Sequence, residues 1–188
     1  MGETLIRMRI GIDISQIVYD GTGVGRYMKG MVRTLVRLDK ANDYILFGSS
    51  LRQRHKFHSF YKELSEKNKR VKLVALPFPP IILEIIWNRL HILPIEWFTG
   101  AIDVFWSSDW TQPPLVHAKG ITTIHDMTPF LDPDSSDSKI VAVHKRRIKR
   151  AQEECSAFLC DSLATMRDVR TLLRIDSKKL FVVYPGLT

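Results

Sequence analysis

Short runs of β-branched and aromatic residues recur along the chain, and the gaps between them place apolar residues at three- and four-residue steps. The runs are "RIGIDIS" (Arg9 to Ser15), "YILFGS" (Tyr44 to Ser49), "VKLVAL" (Val71 to Leu76), "VFWSS" (Val104 to Ser108), "ITTIHD" (Ile121 to Asp126), "AFLCDS" (Ala157 to Ser162) and "LFVVYP" (Leu180 to Pro185). Each reads as a strand. Between the first two, Val24, Tyr27, Met28, Met31, Leu35 and Leu38 form the apolar stripe of a helix whose other side carries Arg26, Lys29, Arg33, Arg37 and Lys40. A second helix is predicted from Ile140 to Cys155, with Ile140, Val141, His144, Ile148 and Ala151 inward and Lys145, Arg146, Lys149 and Arg150 outward. Ser162 is placed to cap a third, with Leu163, Met166, Val169, Leu172 and Leu173 inside. "PFPP" and Pro94 bound a further helix from about Pro80 to Leu93 with Trp87 and Leu90 on its inner side, and "LDPDSSDS" (Leu131 to Ser138) is a polar loop.

Strands alternating with helices predict an α/β fold: a Rossmann-like, mostly parallel sheet of about seven strands with helices on both faces, in one domain spanning 1–188. The composition agrees, with 45% hydrophobic and 26% charged residues in a chain of 188, enough for one sizeable core. The opening residues read as neither a signal peptide nor a span, and Glu84, Arg89, Pro94 and Glu96 interrupt the longest apolar stretch well short of the ~20 residues a spanning helix needs. Two cysteines, Cys155 and Cys160, make neither a disulfide framework nor a zinc site and fit a reducing cytoplasm as small buried hydrophobes.

A formal charge of +8 favours an anionic contact. The basic helix sides, including "HKRRIKR" (His144 to Arg150), are solvated faces in the plainest reading and a contact for an anionic membrane surface in the functional one. Nucleic acid is not expected as a partner, because aromatics do not interleave with basic residues on one strand face.

Three features carry candidate chemistry. Gly21, Gly23 and Gly25 lie between the first strand and the first helix, where glycines let backbone amides approach a phosphate, although they equally suit a mobile surface loop. Their G-x-G-x-G spacing departs from the dinucleotide fingerprint and no acid ends the second strand, which disfavours nicotinamide or flavin. His125 and Asp126 end the fifth strand, at the edge where parallel sheets bind ligands; the imidazole suits proton transfer or a hydrogen bond to a substrate hydroxyl, and Asp126 either fixes its tautomer or caps the following turn. Ser108, Asp109 and Trp110, then Asp161 and Ser162, end strands at the same rim.

Taken together, "IGIDIS" with "GTGVGRY", the Trp87 to Pro94 helix, "IDVFWSSDWTQPP", "ITTIHDMTPF", "CDSLATMRDV" and "LFVVYPG" resemble, in order and over almost the whole chain, the N-terminal half of the retaining family 4 glycosyltransferases of the GT-B fold. The resemblance implies an acceptor-binding domain that faces a donor-binding C-terminal domain absent from this chain, and therefore no turnover by the chain alone. It implies a nucleotide-diphosphate sugar as donor, without metal, and a sugar or lipid-linked sugar as acceptor, in polysaccharide or lipopolysaccharide synthesis at the cytoplasmic face of the membrane. His125 and Asp126 become the catalytic candidates; Gly21, Gly23, Gly25, Arg26, Ser162 and Thr165 the donor-side contacts; and Asp109, Trp110 and Thr128 the acceptor cleft. The alternative from a different class is a stand-alone Rossmann-like module that binds a phosphorylated metabolite or a protein partner without catalysis.

Overall fold

The computed structural model describes residues 7–186. The reading of the first residues as neither signal peptide nor span therefore lies mostly outside the described residues. The seven predicted runs form β1 (Arg9–Asp13), β2 (Asp43–Ser49), β3 (Val71–Leu76), β4 (Val104–Ser107), β5 (Lys119–Ile124), β6 (Cys155–Cys160) and β7 (Leu180–Val182). They build one sheet in the order β3-β2-β1-β4-β5-β6-β7, with every pairing parallel. This is the doubly wound, Rossmann-like order. Strand β1 stops at Asp13 rather than Ser15 because Ser15–Val18 wind into a 3-10 turn.

Helices cover both faces, as the alternation along β2 demonstrates. Tyr44 and Leu46 join a core cluster with Tyr27, Met28 and Val32 of α1 (Gly23–Leu38) and Phe57, Phe60 and Leu64 of α2 (Arg54–Lys67). Ile45 and Phe47 point the other way, into a cluster with Leu83 and Trp87. Those two belong to a helix that begins as α3 (Pro80–Leu83) and widens into a π-helical stretch, Glu84–Leu90. The short α4 (Glu96–Thr99) and α5 (Thr128–Leu131) precede α6 (Ser138–Glu154) and α7 (Leu163–Leu173), which pack Ile148, Ala151 and Val169 against Phe158 and Cys160. Both cysteines are buried and unpaired, with thiols pushed up to about 12 for Cys155 and about 11 for Cys160 by burial, so neither is a reactive thiolate.

Five residues expected inside are exposed: Leu38, Leu90, Ile140, Leu163 and Leu172. All five lie in the first or last turns of their helices, where the apolar stripe runs past the edge of what the sheet covers. In α1 the buried line is Gly25, Tyr27, Met28, Val32 and Val36, while Met31 and Leu35 are only half-buried, so the helix is rotated from the predicted stripe. In α6, Arg147 takes a core position that the charge pattern hides.

The chain winds from β1 toward β2 and β3 in one direction and from β4 toward β7 in the other. Beyond the carboxyl ends of β1 and β4 this reversal opens a crevice, the place where such sheets bind ligands.

Candidate functional site

His125 follows the last residue of β5 and stands at that rim. Its Nδ1 lies 2.7 Å from Oδ2 of Asp161, the residue that follows β6. Tyr27 of α1 approaches the imidazole edge-on, with ring centroids 5.0 Å apart. Thr165 donates from its hydroxyl to the His125 carbonyl at 3.3 Å. The residue is thus held from three elements, the ring by Asp161 and Tyr27 and the backbone by Thr165, with the side chain 15% exposed, neither sealed in hydrocarbon nor free in solvent.

A carboxylate on Nδ1 keeps the proton there in the neutral ring, so Nε2 of the neutral ring is an acceptor, and only the imidazolium donates from it. Among the described residues Nε2 has no hydrogen-bond partner. The expected donation to a substrate hydroxyl therefore requires the imidazolium; the neutral ring accepts from one.

His125 lines a cavity of about 130 Å³ together with Val24, Asp109, Asp126, His144 and Arg147. That is room for about four waters, or for part of one sugar ring. Val24 opens α1 within the predicted glycine loop, so loop and imidazole share one rim. Arg147 is 1% exposed, and its guanidinium donates to the carbonyls of Ser108 at 2.8 Å and Thr123 at 3.1 Å and to the Thr122 hydroxyl. A buried cation thus ties the ends of β4 and β5 together, and burial pulls its pKa down. His144 stands edge-on to Trp110 at 5.6 Å, and burial lowers its pKa against the opposing pull of Asp109. Oδ1 of Asp109, Oδ1 of Asp161, the Tyr27 hydroxyl and Nε of Arg147 are all buried without a protein partner. Such a concentration of unsatisfied polar atoms at one rim marks it as built to meet a polar ligand or ordered water.

The remaining predicted residues divide. Asp126 accepts from the backbone of Thr128 at 2.9 Å, so it caps the turn that opens α5, and Asp161 takes the tautomer-fixing place. Thr128 is exposed and outside the cavity lining. Ser162 caps α7, accepting from Thr165 N at 3.1 Å, so both residues support His125 from behind and neither lines the cavity. Trp110 lines a small neighbouring recess with Ser15, Tyr19 and Ser49. Asn88 fixes this loop by donating to the Trp110 carbonyl and accepting from Gln112 N, each at 3.0 Å.

The glycines differ in role. A Cβ on Gly25 would lie 2.9 Å from Thr22 Oγ1, 3.0 Å from the Tyr19 carbonyl and 3.1 Å from that of Gln16, so its bareness serves close packing of the loop on α1 rather than approach to a phosphate. Gly21 has φ of 80° and turns the chain in open space. Gly23 is exposed, with nothing near where a side chain would go. Arg26 faces away from the cavity, into a groove of about 660 Å³ along α1 shared with Arg33, Arg37, Lys67 and Tyr184.

One residue escaped the sequence reading altogether. Asp13, the last residue of β1, is fully buried at the point where the strand order reverses; it accepts from Ser15 N at 2.8 Å, its second oxygen has no partner, and burial pushes its pKa up to about 6. A lone charge inside "IGIDI" was the available signal. Among the described residues no three His, Cys, Asp or Glu side chains converge as a metal site requires.

Comparison with known proteins leaves the architecture to stand on its own geometry. No family model matches the chain, and no curated protein does. Among solved structures, a short-chain dehydrogenase from Oenococcus oeni PSU-1 is similar over 100% of both chains at 9% identity and a TM-score of 0.45, a likeness that carries no argument about chemistry.

Proposed function

We propose that this chain is the acceptor-side domain of a retaining glycosyltransferase, which transfers a hexose from a nucleotide sugar to a lipid-linked or polysaccharide acceptor. The observation that carries the reading is the Asp161-anchored imidazole of His125 facing a small polar cavity beside the start of α1. A neutral His125 accepts from a sugar hydroxyl through Nε2, and Asp109 offers a second acceptor across the cavity. Two acceptors at fixed positions orient a hydroxylated ring, which is how binding energy is turned into alignment of the reacting carbon. Stabilising the leaving diphosphate is work for electropositive groups. This cavity presents Asp109 and Asp126 alongside its cations, so that work falls to a second domain.

Titrating the purified chain with uridine and guanosine diphosphate hexoses tests the reading. Weak binding is expected, with imidazole resonances of His125 shifting on addition and His125→Ala abolishing the shift. Tight binding that ignores His125, or hexose transfer by the chain alone, overturns it.

The cationic groove of about 660 Å³ along α1 favours a second reading, a stand-alone module for a phosphorylated metabolite or a protein partner. Under that reading phosphate perturbs Arg26 and Arg37 with an affinity the His125 cavity does not match.

A further inference from the structure

The helix from Pro80 to Leu90 ends in a strained turn. His91 has φ of 54° and Leu93 has φ of 60°, both in the left-handed region that residues other than glycine enter at a cost. Such a turn persists where its surroundings hold it. Two side chains do so here. The Trp87 indole donates to the Leu93 carbonyl at 3.0 Å. The His91 ring is gripped at both nitrogens: Nδ1 lies 2.9 Å from the Trp87 carbonyl, and Nε2 lies 2.7 Å from Oε1 of Glu154, the last residue of α6. The side chains of His91 and Glu154 are 16% and 19% exposed, so the bridge is largely screened from solvent.

Both neighbours of the ring are acceptors. A carbonyl and a carboxylate have no proton to give, so both contacts are hydrogen bonds only when the ring carries N–H at both nitrogens, as imidazolium. A neutral ring sets a lone pair against one of the two oxygens. Placing the extra proton on Glu154 instead gives the pair the same proton count, so its release breaks one contact in either description. The carbonyls at a helix end also favour a cation there. The other charges around this turn are engaged. From α6, Arg150 pairs with Glu153 at 2.9 Å and donates to the carbonyls of Asn88 and Arg89, each at 3.2 Å. On the helix itself, Glu84 accepts from Arg89 Nε at 3.0 Å and from Arg146 Nε at 2.8 Å. After the turn, Glu96 accepts from the backbone of Val116, His117 and Ala118. Among the described residues that leaves Glu154 for His91, and its second oxygen accepts from Leu115 N at 3.0 Å.

We propose that His91 is a protonation latch: the imidazolium fastens the end of this helix to α6, and loss of its proton loosens the turn and, through Asn88, the loop that walls the candidate site. The helix turns Ile81, Ile82 and Ile85 outward and buries Asn88, which is 2% exposed and follows Trp87 directly. Asn88 clamps the loop after β4 through the Trp110 carbonyl and Gln112 N, and that loop carries Asp109 to the His125 cavity. Acid closes the latch and alkali opens it. The latch works in the same way whichever ligand the cavity takes.

Nuclear magnetic resonance on the full chain tests it. Across a titration from mildly acidic to mildly alkaline pH, the Asn88 side-chain amide and the Trp110 indole N–H are expected to shift with the same midpoint as the His91 ring. Glu154→Gln holds the latch shut, because its amide donates to a neutral Nε2 while Nδ1–H stays on the Trp87 carbonyl; the Asn88 and Trp110 signals then lose the shift that follows His91. His91→Gln removes the titrating group and the shift with it. Circular dichroism monitors folding, and if His91→Gln does not fold, Glu154→Gln decides. A His91 ring that titrates while Asn88 and Trp110 stay still overturns the proposal. So does a shift that persists unchanged in a folded variant, since another group, such as His144 edge-on to Trp110 at 5.6 Å, then drives it.

Discussion

The carboxylate of Asp161 holds Nδ1 of His125 at 2.7 Å across 36 residues of sequence, each side chain standing just beyond the end of its strand. This pair decides which nitrogen faces the cavity. In the folded protein the neutral ring is the Nδ1–H tautomer, and long-range nitrogen–proton correlation spectra at mildly alkaline pH are expected to report it. Asp161→Ala releases that preference toward the Nε2–H form. An unaltered tautomer in the variant would detach Asp161 from the function of the ring.

Asp13 makes stability fall as pH rises. Its pKa is raised by burial to about 6 in the folded protein, against about 3.9 in an unfolded chain, so the native state holds the proton more tightly over that interval. The contribution of Asp13 to stability therefore falls between about pH 4 and pH 6 and is level above, by about 3 kcal/mol at neutrality. Urea midpoints of wild type and Asp13→Asn, compared from pH 4 to 7, are expected to diverge in favour of the variant as pH rises. Parallel profiles contradict the assignment.

Removing the Arg147 guanidinium should be among the most damaging single changes. Arg147→Met removes the guanidinium donor from the buried carbonyls of Ser108 and Thr123, while the Thr122 hydroxyl keeps the Ser107 hydroxyl as donor at 2.9 Å. A loss of about 2–4 kcal/mol is expected in urea unfolding. All three bonds come from the single Nη2, so Arg147→Lys, which keeps a charged donor on a shorter stem, should fall between wild type and Arg147→Met.

Two glycines two residues apart should respond in opposite directions to alanine. Gly25→Ala places a methyl against two backbone oxygens and costs about 1–3 kcal/mol. Gly23→Ala meets open space at the start of α1 and gains about 0.5 kcal/mol from a less flexible unfolded chain. Thermal melts of the two variants separate a packing requirement from a ligand-driven one.

Much of the fold was legible because β-branched runs and helical stripes are local properties. All seven strands lie where the alternation predicts them, and Ser162 caps α7 as its residue type suggests. The site was partly legible: His125, Asp126 and Asp109 line the cavity, whereas Gly25, Arg26, Ser162, Thr165 and Thr128 do not. Arg147 was findable, since it falls between His144 and Ile148 on the inward line of α6, but its charge argued against burial until the carbonyls of β4 and β5 were there to receive it.

The sequence by itself determined where the strands and the helices α1, α6 and α7 lie, since backbone preference and hydrophobic period are set by neighbours within a few residues. Only the tertiary structure decided that β1 and β4 adjoin, so that Asp13 meets the end of β4, that Asp161 rather than Asp126 holds His125, and that Arg146 from 62 residues away neutralises Glu84 and lets a helix turn its isoleucines outward. Those relationships depend on strand order and helix rotation, which are fixed by burying the whole core at once and by pairing the charges that burial encloses.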